Sequence, residues 1–349
     1  MGCQRPPLPD QVGEYGERTI CAGLQRYRVQ YARWMATVTI LDDYQRVSLS
    51  SADWSPVANR YTVEVISEHI SDESELVARL QDSEVVVAMR ERTPFPAEVI
   101  KSLPALRLLV TTGQRNAAFD LRAATEHGVI VCGTTGSGNA VPELTIGMII
   151  ALMRNFVQED AAVRAGGWQH TIGPGLYGQT LGVIGLGRLG TPVATLAQAF
   201  GMSVMAWSPN LTQERAGAHG VQAVTKQQLF AASDVITIHM PLADATRSLV
   251  GPAEFALMKP TAYLINTSRG PIVDEAALLD ALQQHRIAGA GLDVYDAEPL
   301  PADHPLRSTP NTLLLPHIGY VTTDGYRHWF GQVVENIVAY SNGSPVRVI

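Results

Sequence analysis

Cysteine is scarce in this chain. Its 349 residues hold three, Cys3, Cys21 and Cys132, too few and too scattered for a disulfide framework or a zinc site. No metal centre is expected, and so thiol-poor a chain suits a reducing cytoplasm. Positive charge is also short: 26 Lys and Arg face 33 Asp and Glu, a net charge of −7, with no basic block. That argues against a nucleic-acid partner. Long hydrophobic runs are missing as well. The most apolar stretch, Val141–Phe156, carries Glu143 and Arg154 near its ends and falls short of the ~20 residues a bilayer span demands. It reads as a buried helix, and no membrane partner is expected. Charged residues are only 17% and apolar residues 46%, which rules out a mostly disordered chain and supplies packed cores. The length suits two domains.

Residues 1–34 contain Pro6, Pro7, Pro9 and several Arg, without the apolar core of a signal peptide. They read as a poorly ordered extension, or as the product of an upstream start codon, and are set aside from the fold. From Thr37 onward short β-branched runs alternate with helix-length amphipathic stretches. A first series has strands at Thr37–Leu41, Thr62–Ile66, Val85–Ala88, Leu108–Thr111 and Val129–Cys132. A long helix near Ala140–Arg164 follows. A second series has six strands: Thr180–Ile184, Ser203–Trp207, Val235–Ile238, Ala262–Asn266, Ala288–Leu292 and Thr312–Leu315. A last helix spans about Thr322–Ser341. Near-continuous apolar strands separated by helices mean parallel strands buried on both faces, an α/β chain with a Rossmann-type doubly wound sheet.

Gly185-Leu186-Gly187-Arg188-Leu189-Gly190 follows one of these strands and opens a helix, the context that a G-x-G-x-x-G fingerprint requires. Gly185 makes the tight turn, Gly187 admits a pyrophosphate to the backbone, and Gly190 lets helix and strand pack closely. The free N–H groups at the helix start attract phosphate. The next strand should end in an acid for the adenosine ribose. Ser208 stands there instead, so NAD is not enforced; the nearest downstream cation is Arg215. Use of both NAD and NADP is expected.

Three later strands deliver polar residues at their carboxyl ends, where an open parallel sheet has its ligand crevice. Asn266 leads into Thr267, Ser268 and Arg269; Leu292 leads into Asp293 and then Glu298; Leu315 leads into Pro316 and His317. A histidine at such a strand end suits a proton-transfer step near neutral pH. His317 is assigned as that acid–base group and Glu298 as the carboxylate that fixes its tautomer. Arg269 is assigned to grip the substrate carboxylate through its planar fork of donors, and Asp293 to sit near nicotinamide and imidazole.

The ordered motifs Gly185–Gly190, His239-Met240-Pro241-Leu242, Asn266–Gly270, Gly291–Val294 with Glu298-Pro299, and Pro316–Gly319 resemble those of the D-isomer-specific 2-hydroxyacid dehydrogenases. The resemblance implies a flavodoxin-like, discontinuous substrate domain of residues 35–135 and 318–349, and a dinucleotide-binding domain of residues 136–317. It implies cofactor contacts at Gly185, Gly187, Arg188, Leu189, Gly190, Ser208, Met240, Pro241, Thr267, Ser268, Asp293 and Gly319. It also implies substrate contacts through backbone N–H groups near Gly113 and Gln114, beside Arg269, and a homodimer formed through the cofactor domains. The helix starting near Ala140 is too apolar to face water, which agrees with such an interface. The activity implied is an NAD(P)-dependent oxidoreductase of small 2-hydroxy and 2-oxo acids, of class EC 1.1.1. Departures lie at Ser208, at Pro142 and at Tyr320. The competing reading is a nicotinamide-sensing co-repressor on the same scaffold. The carboxylate Glu298 argues against a formate dehydrogenase, which resembles this chain but pairs its histidine with Gln.

Overall fold

The computed structural model describes residues 35–136 and 140–349, so the expected extension at 1–34 lies outside the described residues. The chain divides into two compact units. One runs to Gly136 and takes in Trp329–Ile349; the other is the stretch between them, ending at His328.

The first unit is built on β1 (Ala36–Ile40), β2 (Tyr61–Val65), β3 (Ser83–Ala88), β4 (Leu108–Thr111) and β5 (Ile130–Cys132). All pairs are parallel, in the order β2-β1-β3-β4-β5, the flavodoxin-like doubly wound arrangement. Its helices start where the sequence offers side-chain caps. Asp72 accepts the Glu75 N–H ahead of Glu73–Leu80, and Asp120 accepts the Ala123 N–H ahead of Leu121–Glu126. Such caps contribute about 1 kcal/mol each. Val85, Val86, Val87, Leu108, Leu109 and Val110 are all buried, as central parallel strands covered on both faces require. Leu80, Phe95, Ile100 and Leu106 pack against one face, each fully buried side chain contributing roughly 1.5–3 kcal/mol.

The second unit carries seven parallel strands: β6 (Thr180–Ile184), β7 (Ser203–Trp207), β8 (Gln222–Ala223), β9 (Val235–Ile238), β10 (Tyr263–Asn266), β11 (Gly289–Leu292) and β12 (Thr312–Leu314). Their order is β12-β11-β10-β9-β6-β7-β8. Counted from β6, that is the 3-2-1-4-5-6 order of a dinucleotide-binding sheet with one strand added at the far edge. Six strands are expected from the sequence and seven are present. The extra one, β8, is the third strand of the fold, and its two residues are too few to leave a periodic signal. The chain reverses direction across the sheet between β6 and β9, and the glycine fingerprint follows β6 at that point.

The helix expected over Ala140–Arg164 is two helices, Ala140–Met153 and Phe156–Arg164, bent by 60°. Asn155 sits between them at φ 53°, a left-handed conformation that asparagine adopts more readily than most residues. No single helix among the described residues is long and apolar enough to cross a membrane. The first half buries Ile146, Met148, Ile149, Leu152 and Met153 in the unit's own core with Leu181 and Val183. A Cβ on Gly291 would come within 3.2 Å of Met148, so glycine there lets this helix lie close on β11. The apolarity of this helix is therefore satisfied internally and does not call for a second chain. Pro142 falls in its first turn, where a missing N–H costs nothing. The unsatisfied apolar surface lies further on, at Phe156, Val157, Val163, Trp168 (75% exposed), Ile172 and Tyr177 (88% exposed).

Candidate active site

Gly185 leaves β6 at φ 96°, a conformation open to glycine, and its N–H donates to Trp207 O at 2.9 Å. A Cβ there would come within 2.6 Å of His239 O, and one on Gly190 would overlap Gly185 O. Gly187 differs, because its Cβ would meet nothing within 4 Å. No side chain caps the helix Gly190–Ala199 that follows Leu189, and its Thr191 N–H turns back onto Gly187 O at 2.9 Å. Open space above Gly187, a helix start without a side-chain cap and the exposed Arg188 together fit the pyrophosphate of a dinucleotide. At the end of β9 the His239 N–H donates to Ile184 O at 2.8 Å, which seats Met240 and Pro241 beside the same loop. The His239 ring shares a hydrogen bond with Thr237 Oγ1 at 3.0 Å, while its Nδ1 is buried without a partner. Burial pushes its pKa down to about 4.

β10, β11 and β12 lie side by side, with Asn266 opposite Leu292 and Leu292 opposite Leu314. Their carboxyl ends are therefore level. After β10 the side chain of Asn266 braces the loop from within, accepting the Ser268 N–H at 3.0 Å and donating to Arg269 O at 2.9 Å. Ser268 Oγ donates to Ile238 O at 2.8 Å, and Thr267 Oγ1 shares a hydrogen bond with Thr145 Oγ1 at 3.1 Å. Arg269 Nη1 donates to Ser268 O at 2.7 Å.

After β11 two carboxylates divide. Asp293, 1% exposed, accepts the Ile318 N–H on Oδ1 at 2.7 Å and the Gly319 N–H on Oδ2 at 2.8 Å. Burial raises its pKa, and the two N–H donors and the nearby His317 oppose that rise. Glu298 accepts the Tyr295 N–H on Oε1 at 2.9 Å and meets His317 Nδ1 with Oε2 at 2.5 Å. An ionised carboxylate only accepts, so Nδ1 carries the proton and Nε2 is the nitrogen left to exchange one. His317 sits at φ 54°, with the Tyr320 ring edge-on at 5.4 Å.

Two residues that hold this cluster together gave no signal in the sequence. Tyr295 donates its hydroxyl to Leu315 O at 2.9 Å, tying the loop after β11 to the strand end that carries His317. Thr145 reaches Thr267 from the Ala140–Met153 helix, 122 residues away in sequence. In the first unit, Gly113 and Gln114 follow β4. The Gly113 N–H donates to Thr111 O at 3.1 Å, and Gln114 is exposed.

Residues 146–319 match the model of the D-isomer specific 2-hydroxyacid dehydrogenase NAD binding domain. D-3-phosphoglycerate dehydrogenase of Bacillus subtilis is 34% identical over 301 residues, 85% of this chain and 56% of that protein. The chain spans about half the length of the phosphoglycerate dehydrogenases it matches. Glyoxylate reductase of Korarchaeum cryptofilum is 33% identical over 275 residues, 77% of this chain and 82% of that one. The crystal structure of a putative D-3-phosphoglycerate dehydrogenase from Ralstonia solanacearum superposes with a TM-score of 0.84 at 35% identity, covering 89% of this chain and 96% of its own. These relatives carry the names of dehydrogenases and reductases, which lends no support to the co-repressor alternative. With the parallel sheets and the level strand ends, the matches show that the chain belongs to the D-isomer specific 2-hydroxyacid dehydrogenase family.

Proposed function

We propose that the chain is an NAD(P)-dependent oxidoreductase that interconverts a small D-2-hydroxy acid and its 2-oxo acid. The observation that carries this reading is the His317–Glu298 hydrogen bond of 2.5 Å on the strand end next to the Arg269 loop. A bound nicotinamide supplies or accepts the hydride at carbon 2. In reduction His317 Nε2 gives its proton to the carbonyl oxygen, and in oxidation it takes one from the hydroxyl. Glu298 holds Nδ1–H throughout, so the ring keeps one orientation and one tautomer. Arg269 binds the substrate carboxylate and draws charge from the adjacent carbonyl. Asp293 acts on the main chain of Ile318 and Gly319 and so aims the imidazole.

The second unit is assigned the dinucleotide, through Gly185–Gly190, Ser208, Met240, Pro241, Thr267, Ser268, Asp293 and Gly319. The first is assigned substrate contacts, through the backbone near Gly113 and Gln114. Either reduced cofactor is expected to serve, because Ser208 neither repels a 2′-phosphate nor grips both ribose hydroxyls. The exposed apolar face from Phe156 to Tyr177 supports a homodimer. Scarce cysteine supports a cytoplasmic site of action. The test is oxidation of NADH and NADPH followed by absorbance with glyoxylate, hydroxypyruvate and pyruvate. Turnover is expected in the wild type, with kcat lower by roughly two to four decades in His317→Ala. No turnover on any 2-oxo acid, or an undiminished His317→Ala, overturns the reading.

A further inference from the structure

Two side chains of opposite charge line one cavity of the first unit without pairing to each other. The cavity has a volume of about 560 Å³, and its wall includes Arg60, Tyr61, Glu84, Tyr340 and Ser341. That volume suits a small ligand. It lies at the amino ends of β1, β2 and β3, whereas the Gly113 and Gln114 backbone follows the carboxyl end of β4.

Glu84 reaches the cavity because β3 slips against β1. Ser83 pairs with Thr37 and Val85 with Val38, so Glu84 is an extra residue without a partner on β1, a bulge that re-aims its side chain. Its Oε1 accepts the Tyr61 hydroxyl at 3.4 Å and the Tyr340 hydroxyl at 3.2 Å. Burial and the Glu84 charge push the Tyr340 hydroxyl up to about 12 and raise that of Tyr61, so both phenols stay protonated donors. No described residue donates to Oε2.

Arg60 precedes β2. Its Nη1 donates to Ser341 Oγ at 2.7 Å and to Asn342 Oδ1 at 2.9 Å, at the end of the helix Thr323–Ser341. Those bonds take both Nη1 hydrogens and leave the Nε and Nη2 edge, which can hold a carboxylate bidentately. Neither Arg60 nor Glu84 has an ion-pair partner among the described residues. The other cation acting on Tyr340 is Arg107. It is exposed, lies outside the cavity wall and spends its Nη1 on Pro104 O and Leu106 O at 2.9 and 2.7 Å.

We propose that this cavity is a binding site for a small zwitterion, a free amino acid, whose carboxylate takes the open edge of Arg60 and whose ammonium takes Glu84 Oε2. Tyr61 and Tyr340 hold the Glu84 carboxylate in place for it. The site is separate from the strand ends assigned to 2-oxo acid and cofactor.

The test is calorimetric titration of the full chain with glycine, 3-aminopropanoate and 4-aminobutanoate, which space the two charges differently. Acetate and methylammonium are the single-charge controls. At least one zwitterion should bind with a Kd of about 1 mM or tighter, and each control at least tenfold more weakly. Arg60→Ala and Glu84→Gln should each weaken the zwitterion at least tenfold, the scale of losing a charge-assisted contact. Arg269→Ala should leave the titration unchanged. No zwitterion bound by the wild type, acetate bound as tightly, full affinity in Arg60→Ala or in Glu84→Gln, or a loss in Arg269→Ala overturns the proposal.

Discussion

Replacing Asp293 by Asn keeps the size of the side chain but removes its charge and turns one acceptor into a donor. In the native protein its two oxygens receive the Ile318 and Gly319 N–H groups at 2.7 and 2.8 Å. In the variant one of these N–H groups faces an NH2 group. There is little room for a water to intervene, since even a Cβ on Gly319 would stand 3.0 Å from Oδ2. A hydrogen bond to a charged group contributes about 1.5–3 kcal/mol, and a buried donor left without an acceptor costs about 1–3 kcal/mol. With one neutral bond retained, a net loss of ~2–4 kcal/mol is expected. The same two bonds anchor the chain just after His317, whose φ of 54° costs a non-glycine residue about 1–2 kcal/mol. Released from that anchor, the imidazole should leave its productive orientation. We therefore expect kcat to fall at least tenfold in Asp293→Asn under conditions where the protein stays folded, about 1.4 kcal/mol on the barrier. Urea unfolding followed by tryptophan fluorescence gives the first quantity and steady-state reduction the second. A shift in stability below ~0.5 kcal/mol together with wild-type kcat would refute the anchoring argument.

His239 should make stability depend on pH. Its pKa is about 4 in the folded chain against an ordinary 6.5, so the unfolded chain binds more protons between those values. Stability should be full above pH 6.5, decline toward pH 4, and lose on the order of 3 kcal/mol; His239→Gln should flatten that slope, and an equal slope in the variant would remove His239 as its source. The exposed face at Trp168 and Ile172 should hold two copies together. Sedimentation at micromolar concentration should give twice the chain mass for the wild type and a monomer for Trp168→Glu with Ile172→Glu, and a monomeric wild type would dismiss the interface.

The alternation of strands and helices was legible because central parallel strands are buried on both faces; Val85–Ala88 and Val235–Ile238 stand out as runs rich in apolar and β-branched residues. β8 was not legible, because its pairing with β7 comes from the neighbouring strand rather than from its own two residues. The break at Asn155 was hidden for a related reason. The apolar pattern continues across it, and only the backbone dihedral records the bend. At the site, the sequence shows which polar residues end the strands but not how each is held. Asp293 and Glu298, both carboxylates after β11, look alike in sequence. Their surroundings separate them, since one meets backbone N–H groups and the other an imidazole.

That separation explains how an exposed loop can hold fixed the imidazole proposed as the acid–base group. His317 sits just beyond β12, where a loop residue would ordinarily move. Its side chain is held by Glu298 and the main chain after it by Asp293, and both carboxylates come from the strand next door. Glu298 is itself fixed by the Tyr295 N–H, and Tyr295 is bonded to Leu315 O, two residues before the histidine. The path runs from Leu315 through Tyr295 and Glu298 to the ring, and back along the chain to Leu315. It closes on itself without leaving two adjacent strands. A perturbation at any one of these residues should therefore be felt at the imidazole. The Arg269 loop, braced separately by Asn266 and Ser268, has its own support on β10 and β9. The roles proposed for His317 and Arg269, proton transfer and carboxylate recognition, thus rest on separate supports at level strand ends, and variants in one are expected to leave the geometry of the other in place.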